Sequence, residues 1–224
     1  MNKKMLAKRV VMSMIAVVIL GINVGLFKTA MLGVDPFTVL VSGLDLITPF
    51  DYGIDYIIIN TVLIIFSLIC DRRTIGIGTL ANLFLIGYIT QFSQQFFNSI
   101  FVNPTLIVRA ACYLVGFVVL SFAASLYFTA DVGVSTYDAI AITLSRKYKV
   151  AEFRYLRIMT DVFCVVSGAI LCYIGGGDVK SILAVVGVGT IFTAFFMGPL
   201  VDFFNRKVSG PLLGVTTEEE KEDK

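Results

Sequence analysis

The chain has 224 residues, of which 57% are hydrophobic and 15% charged, with no histidine, no tryptophan and a formal net charge of +2. That balance excludes an ordinary water-soluble domain and places the chain among membrane proteins, with the lipid bilayer as its first partner. Without histidine there is no imidazole proton relay and no zinc motif, and nothing in the charge pattern points to nucleic acid.

In chain order, Lys3, Lys4, Lys8 and Arg9 precede a charge-free run that ends at Lys28, which predicts a first membrane span over about 10–30. It is expected to stay in the mature protein, because Gly21 to Gly33 is part of an internal repeat and no small-residue cleavage site separates the span from the next segment. A Gly33-Val34 pair breaks the helix, and Pro36 suits the first turn of a short amphipathic helix over 35–46. Further spans are predicted over about 52–70, which is followed by Arg72 and Arg73, and over about 75–98 and 105–129, where Thr74 to Val108 and Ala110 to Ala130 carry no charge. A second short helix over 135–146, capped by Ser135 or Thr136, comes next, then spans over about 155–175 and 180–204. Both short helices are too short to cross, and either lie flat at the interface or enter it as half-helices. From Thr216 the chain is charged and free of apolar residues, so 208–224 is expected to be a mostly disordered cytoplasmic tail.

The order of marks is stated twice. Thr29-Ala30-x-x-Gly33-Val34 returns at an offset of 100 as Thr129-Ala130-x-x-Gly133-Val134, with Arg9 and Arg109 keeping the same offset. Gly76-Ile77-Gly78-Thr79 before Gly87 returns at an offset of 111 as Gly187-Val188-Gly189-Thr190 before Gly198. With three spans per copy, the second copy must be inserted upside down. The expected fold is therefore an all-α polytopic membrane domain over 1–207. It holds six transmembrane helices in two inverted three-helix repeats, about 9–100 and 105–207, each with a short extra helix after its first span. Six crossings put Arg72, Arg73, Arg146, Lys147, Lys149, Arg154, Arg206 and Lys207 on the side of the N-terminal lysines, so both termini are expected in the cytoplasm.

The polar residues within this apolar frame are the candidate site. Arg157 and Asp161 lie one turn apart on one face of the fifth span, where a carboxylate is costly unless paired, hydrated or protonated. Their counterparts at the 100-residue offset are Ile57 and Thr61, with Asn60 matching Thr160. Asp35, Thr38, Ser135 and Asp138 flank the two helix breaks, where exposed N-terminal amides can face a solute. Arg157, Asp161, Asp35, Thr38, Ser135, Asp138 and Asn60 are thus read as substrate-binding or gating residues, and the same groups serve equally well to pin helices together. Cys70, Cys112, Cys164 and Cys172 lack metal-ligand spacing and read as small core residues. No catalytic residue, metal site or cofactor is expected, since no nucleophile stands beside a base and no Walker loop occurs.

Gly21-Ile22-Asn23-x-Gly25 leading to Gly33-Val34-Asp35-Pro36-Phe37, then Gly76-Ile77-Gly78-Thr79 through Gly87, resembles the YitT/YczE-type bacterial integral membrane proteins. So do Thr129 to Val134, Asp138, Arg154, Asp161, Gly187 to Thr190 and Gly198-Pro199-Leu200. The chain looks closer to the short YczE-like branch, because it ends soon after its last span, and Ser135-Thr136 departs from the family's Gly/Ser-Pro pairing. The resemblance implies a small multi-pass protein of the bacterial inner membrane and assigns no substrate, cofactor or catalytic residue. Two readings remain: a transporter or channel for a small polar solute, tilted towards an anion by Arg157 and the paired helix N-termini, and a non-transporting scaffold or regulatory protein that recruits a membrane partner or a second copy of itself.

Overall fold

The computed structural model describes residues 3–214, apart from the side chains of residues 73, 146, 153, 154 and 181. The charged tail from Thr216 lies outside the described residues. Among the described residues the protein is all helical: α1 (Lys3–Ala30), α2 (Pro36–Asp45), α3 (Tyr52–Cys70), α4 (Ile77–Ile100), α5 (Leu106–Ala130), α6 (Thr136–Arg146), α7 (Phe153–Ile174), α8 (Val179–Val185), α9 (Val188–Phe204) and α10 (Gly210–Leu213). Both expected short helices are present as α2 and α6.

Among the described residues, five segments are long and apolar enough to cross a membrane: Lys3–Ala30, Tyr52–Cys70, Leu106–Ala130, Tyr155–Ile174 and Ile182–Leu213. Expectation and structure part at the third and sixth spans. The third, α4, is 24 residues long, but Gln91, Ser93, Gln94, Gln95, Asn98 and Ser99 dilute its second half, so it is not among the five. The sixth is broken at Gly187 between α8 and α9, then runs on through a π-helical turn at Asn205–Ser209 into α10. Residues 208–213, expected as part of the disordered tail, are therefore helical, and Ser209 is buried with its hydroxyl 2.5 Å from that of Ser125.

The repeated motifs explain how the helices lock. After α1 and α5, Met31 and Asp131 take left-handed backbone angles (φ 55° and 49°), and Gly33 and Gly133 follow at φ 112° and 116°, a region that glycine enters without a Cβ clash. Each turn then packs on the Gly-x-Gly-Thr segment of the other half. Gly33 N and Val34 N donate to the carbonyls of Ala184 and Val185 at 3.0 Å, and Gly189 N donates to Leu32 O at 2.8 Å. In the other lock, Val134 N donates to Thr74 O at 3.1 Å, Gly78 N to Val132 O at 2.9 Å and the Thr79 hydroxyl to Val134 O at 2.7 Å. Backbone groups left over at two helix breaks thereby satisfy each other, as they must where water is scarce.

The helices α2 and α7 cross at glycines. A Cβ on Gly43 would lie 2.5 Å from Gly168 O, and one on Gly168 would lie 2.6 Å from Val39 O. The other short helix, α6, packs on α3 and α7. A second group is built on α1, which packs on both α4 and α5, with Thr90 and Ser93 of α4 donating to Gly21 O at 3.2 Å. Three further contacts gather chain segments at one end of the molecule: Lys8 donates to Leu212 O, Lys147 to Cys70 O, and Arg9 to Ala130 O at 3.3 Å. The buried core contains Phe37, Tyr52, Tyr56 and Tyr137 in one cluster and Phe27, Val34, Tyr113 and Phe117 in another.

Candidate functional site

The two short helices begin with the same frame and exchanged chemistry. In α2 the cap is Asp35, which accepts from Thr38 N at 3.0 Å and from the Thr38 hydroxyl at 2.5 Å. In α6 the cap is Ser135, which accepts from Asp138 N at 3.1 Å and donates its hydroxyl to Asp138 Oδ2 at 2.7 Å. Each cap satisfies an orphan donor of the first turn. The exchange decides what remains for other partners: both Asp35 oxygens are used on its own helix, whereas Asp138 keeps Oδ1 for a neighbour.

That neighbour is Arg157. Its guanidinium pairs with Asp138 Oδ1 through Nη1 and with Asp161 Oδ1 through Nε at 3.4 Å. Arg157, Asp161, Cys164, Gly168 and Cys172 follow one another at helical spacing, so the ion pair shares the face that α7 turns towards α2 and α6. Tyr137, the residue before Asp138, completes the group. Its hydroxyl donates to Asp161 Oδ1 at 2.5 Å, and its ring lies 4.5 Å beneath the Arg157 guanidinium carbon. Burial holds the Tyr137 phenol well above its ordinary value and Asp161 adds to this, so the hydroxyl keeps its proton and is the donor.

Of the expected site residues, Ser135, Asp138, Arg157 and Asp161 thus form one cluster. Asn60 meets it from the side, accepting from the Thr136 hydroxyl through Oδ1 while donating from Nδ2 to Tyr56 O at 2.8 Å, which ties α3 to α6. The bonds of Asp35 and Thr38 form a separate pair at the start of α2. Three groups were missed by sequence reasoning. Tyr137 was one, although its alignment with Phe37 at the repeat offset was a usable signal: the two rings lie 5.2 Å apart. Asp55 was another: it is fully buried, accepts from the Thr48 hydroxyl at 2.6 Å through Oδ2, and leaves Oδ1 without a hydrogen-bond partner. Lys28, read in the sequence only as the end of the first charge-free run, caps the Tyr52 ring at 3.6 Å.

The arrangement is suited to holding charge, since one guanidinium bridges two carboxylates at once. Among the described residues no group of three or more His, Cys, Asp and Glu is placed to hold a metal ion, and the four cysteines are free thiols.

Comparison with known proteins finds relatives that are themselves without an assigned activity. A protein of Haemophilus influenzae described as an uncharacterized protein is 28% identical over 199 residues, which span 88% of this chain and 83% of that protein. No solved structure matches. Residues 7–206, which take in all four repeat motifs and every candidate site residue, match the family described as DUF6198, and the chain accordingly belongs to this family of unknown function.

Proposed function

We propose that the protein is a transporter or channel for a small polar solute, built as two inverted three-span halves in a bacterial inner membrane with both termini in the cytoplasm. The observation that carries this reading is the ionic cluster of Asp138, Arg157 and Asp161, seated between the first turn of a short helix and the first half of a long apolar one. Charged groups at such positions are expensive in a bilayer and commonly mark a solute or ion path. The reciprocal locking of the Gly-Val turns and Gly-x-Gly-Thr segments supports the inverted arrangement, because each half supplies the same two pieces to the other. At 24 residues α4 spans about 36 Å, enough to serve as the third crossing despite its polar second half. Lys8 and Arg9 of α1 and Lys147 after α6 reach the ends of α10, α5 and α3, a gathering of basic residues in keeping with a cytoplasmic face. The YitT/YczE-type likeness is in keeping with a compact multi-pass protein of this kind.

The test is solute flux into proteoliposomes from a broad set of amino acids, organic cations, anions and neutral metabolites, paired with thermal stabilisation in detergent, since a ligand that binds only the folded protein raises its melting point. A solute that moves with wild type and fails to move with Asp161→Asn, while the variant remains folded, supports transport through this cluster. A scaffold, with the same groups merely pinning α6 to α7, is indicated by no flux of any solute together with a loss of stability in Asp161→Asn that no solute reverses.

A further inference from the structure

The sign of the solute is written in what already occupies the cluster. Every strong donor at Asp138 and Asp161 is engaged with a carboxylate: the Ser135 hydroxyl with Asp138, the Tyr137 hydroxyl with Asp161, and Arg157 with both. An incoming anion would meet two carboxylates against one guanidinium, a local formal charge of about −1 in a setting where desolvation magnifies repulsion. A cation meets the opposite. The side chain of Arg157 demonstrates the fit within this chain: a flat cation lies 4.5 Å over the Tyr137 ring with carboxylates on its edge.

The same surface continues through the core. From Arg157 the rings run Tyr137, Phe37, Tyr56, Tyr52, with successive centroids 5.2, 5.7 and 6.4 Å apart, and end at Lys28, 3.6 Å over the Tyr52 ring. All four rings are buried. An aromatic row closed at each end by a cation is more than apolar filling requires, because aliphatic side chains would fill the volume without holding either charge. Near the Lys28 end, the fully buried Asp55 presents Oδ1 with no hydrogen-bond partner, a second place that calls for positive charge or a donor.

We propose that the solute is a small organic cation of the guanidinium or alkylammonium class, which docks on the Tyr137 face between Asp138 and Asp161 in competition with the Arg157 side chain. This rests on the transport reading above and names its substrate class. The partly exposed Arg157, at 33% of its side-chain area, gives way to the solute and returns when the solute leaves.

The deciding experiment uses the full chain in detergent, with tyrosine fluorescence as the binding signal, since the chain has nine tyrosines and no tryptophan. Methylguanidinium chloride, tetramethylammonium chloride, potassium chloride, sodium acetate and sodium phosphate are titrated at matched ionic strength, each with a parallel melting curve. Saturable binding of methylguanidinium or tetramethylammonium is expected. Arg157→Gln, which removes the competitor, should tighten it about fivefold or more. Tyr137→Leu should weaken it about tenfold and Tyr137→Phe should change it less than about threefold, as loss and retention of the ring face require. If Tyr137→Leu does not fold, the direction of the Arg157→Gln effect decides alone. Saturable binding of acetate or phosphate that disappears in Arg157→Gln overturns the cation assignment and leaves the transport reading standing. An equal response to potassium overturns the organic class. No saturable response to any of the five salts overturns the proposal as well, and the transport reading falls with it only if the wider flux screen is also empty.

Discussion

Replacing Gly187 by alanine puts one methyl group into the lock between α9 and the turn after α1. An alanine Cβ there would lie 2.2 Å from Leu32 O and 2.6 Å from Leu32 C. Both are backbone atoms, so no rotamer change relieves the clash and the two segments must separate. The segments are joined by three hydrogen bonds: Gly33 N to Ala184 O and Val34 N to Val185 O at 3.0 Å, and Gly189 N to Leu32 O at 2.8 Å. At about 1 kcal/mol for each bond lost or lengthened, the change costs roughly 3 kcal/mol. This lies at the top of the range of about 1–3 kcal/mol seen for overpacked interiors. For a chain of this size that is a fall in melting temperature of roughly 6–12 °C. Gly76→Ala, whose Cβ would sit 2.1 Å from Val132 O in the related lock, should fall by a similar amount. Gly198→Ala is the internal control: nothing lies within 4 Å of its Cβ, so the gain in helix propensity, up to about 1 kcal/mol, leaves it as stable as wild type or more so. Thermal unfolding of the three purified variants in one detergent reads all of this. Wild-type stability in Gly187→Ala, or a larger loss in Gly198→Ala than in either of the others, refutes the reciprocal-lock account.

Other expectations concern the caps, the ion pairs and the proposed topology. Ser135→Ala removes the cap of α6 and a donor to Asp138, and should lower stability by about 1 kcal/mol in the same melting assay, while Ser135→Asn should recover most of it; equal losses in both would argue that the cap is not used. Asp161→Asn leaves Arg157 paired with Asp138 and should cost less than about 1 kcal/mol, whereas the double change with Asp138→Asn strands a half-buried cation and should cost about 2 kcal/mol more than the sum of the single changes; additive losses would show that the carboxylates do not share Arg157. Reporter fusions after Gly33 and at Gly176 should report the outside, and fusions at Arg73 and Lys149 the cytoplasm; a cytoplasmic Gly176 would sink the inverted-repeat topology.

Much of the fold is readable in the chain itself. Helix identity follows from long apolar runs because a bilayer leaves the backbone no other partner, and the limits of α2 and α6 follow from short-range chemistry: Pro36 at a first turn, hydroxyl or carboxylate caps at 35 and 135, a break at each Gly-Val pair. The pairing of Arg157 with Asp161 is legible for the same reason, as four residues make about one helical turn. The third span departs from expectation because absence of charge is a weaker criterion than low polarity, whereas the sixth is present within Ile182–Leu213 and differs in being broken. Thr74 to Val108 has no charged residue, yet its run of Gln, Ser and Asn keeps α4 outside the most apolar helices, and Gly187 divides a stretch that composition alone reads as continuous.

The amino-acid sequence by itself determined the solvent, the helices, the repeated frame and the residues that bear charge, all of which depend on neighbours within a few positions or on overall polarity. Tertiary structure alone decided which copy of each motif meets which: Gly33 faces the Gly-x-Gly-Thr segment of the second half and Gly133 that of the first, so two motifs that are uninformative singly form two locks. It also decided that Arg157 answers to two carboxylates and not one, because Asp138 arrives from α6 at an angle that no spacing rule contains, and that Phe37, Tyr56 and Tyr137, from three different helices, stand in one row with Tyr52. Local sequence sets the conformation of each segment, whereas the direction in which a side chain points across a helix crossing depends on the packing of segments far apart in the chain. The arginine that stands beside a single carboxylate in the sequence is thereby enclosed in the fold by two carboxylates and a ring face.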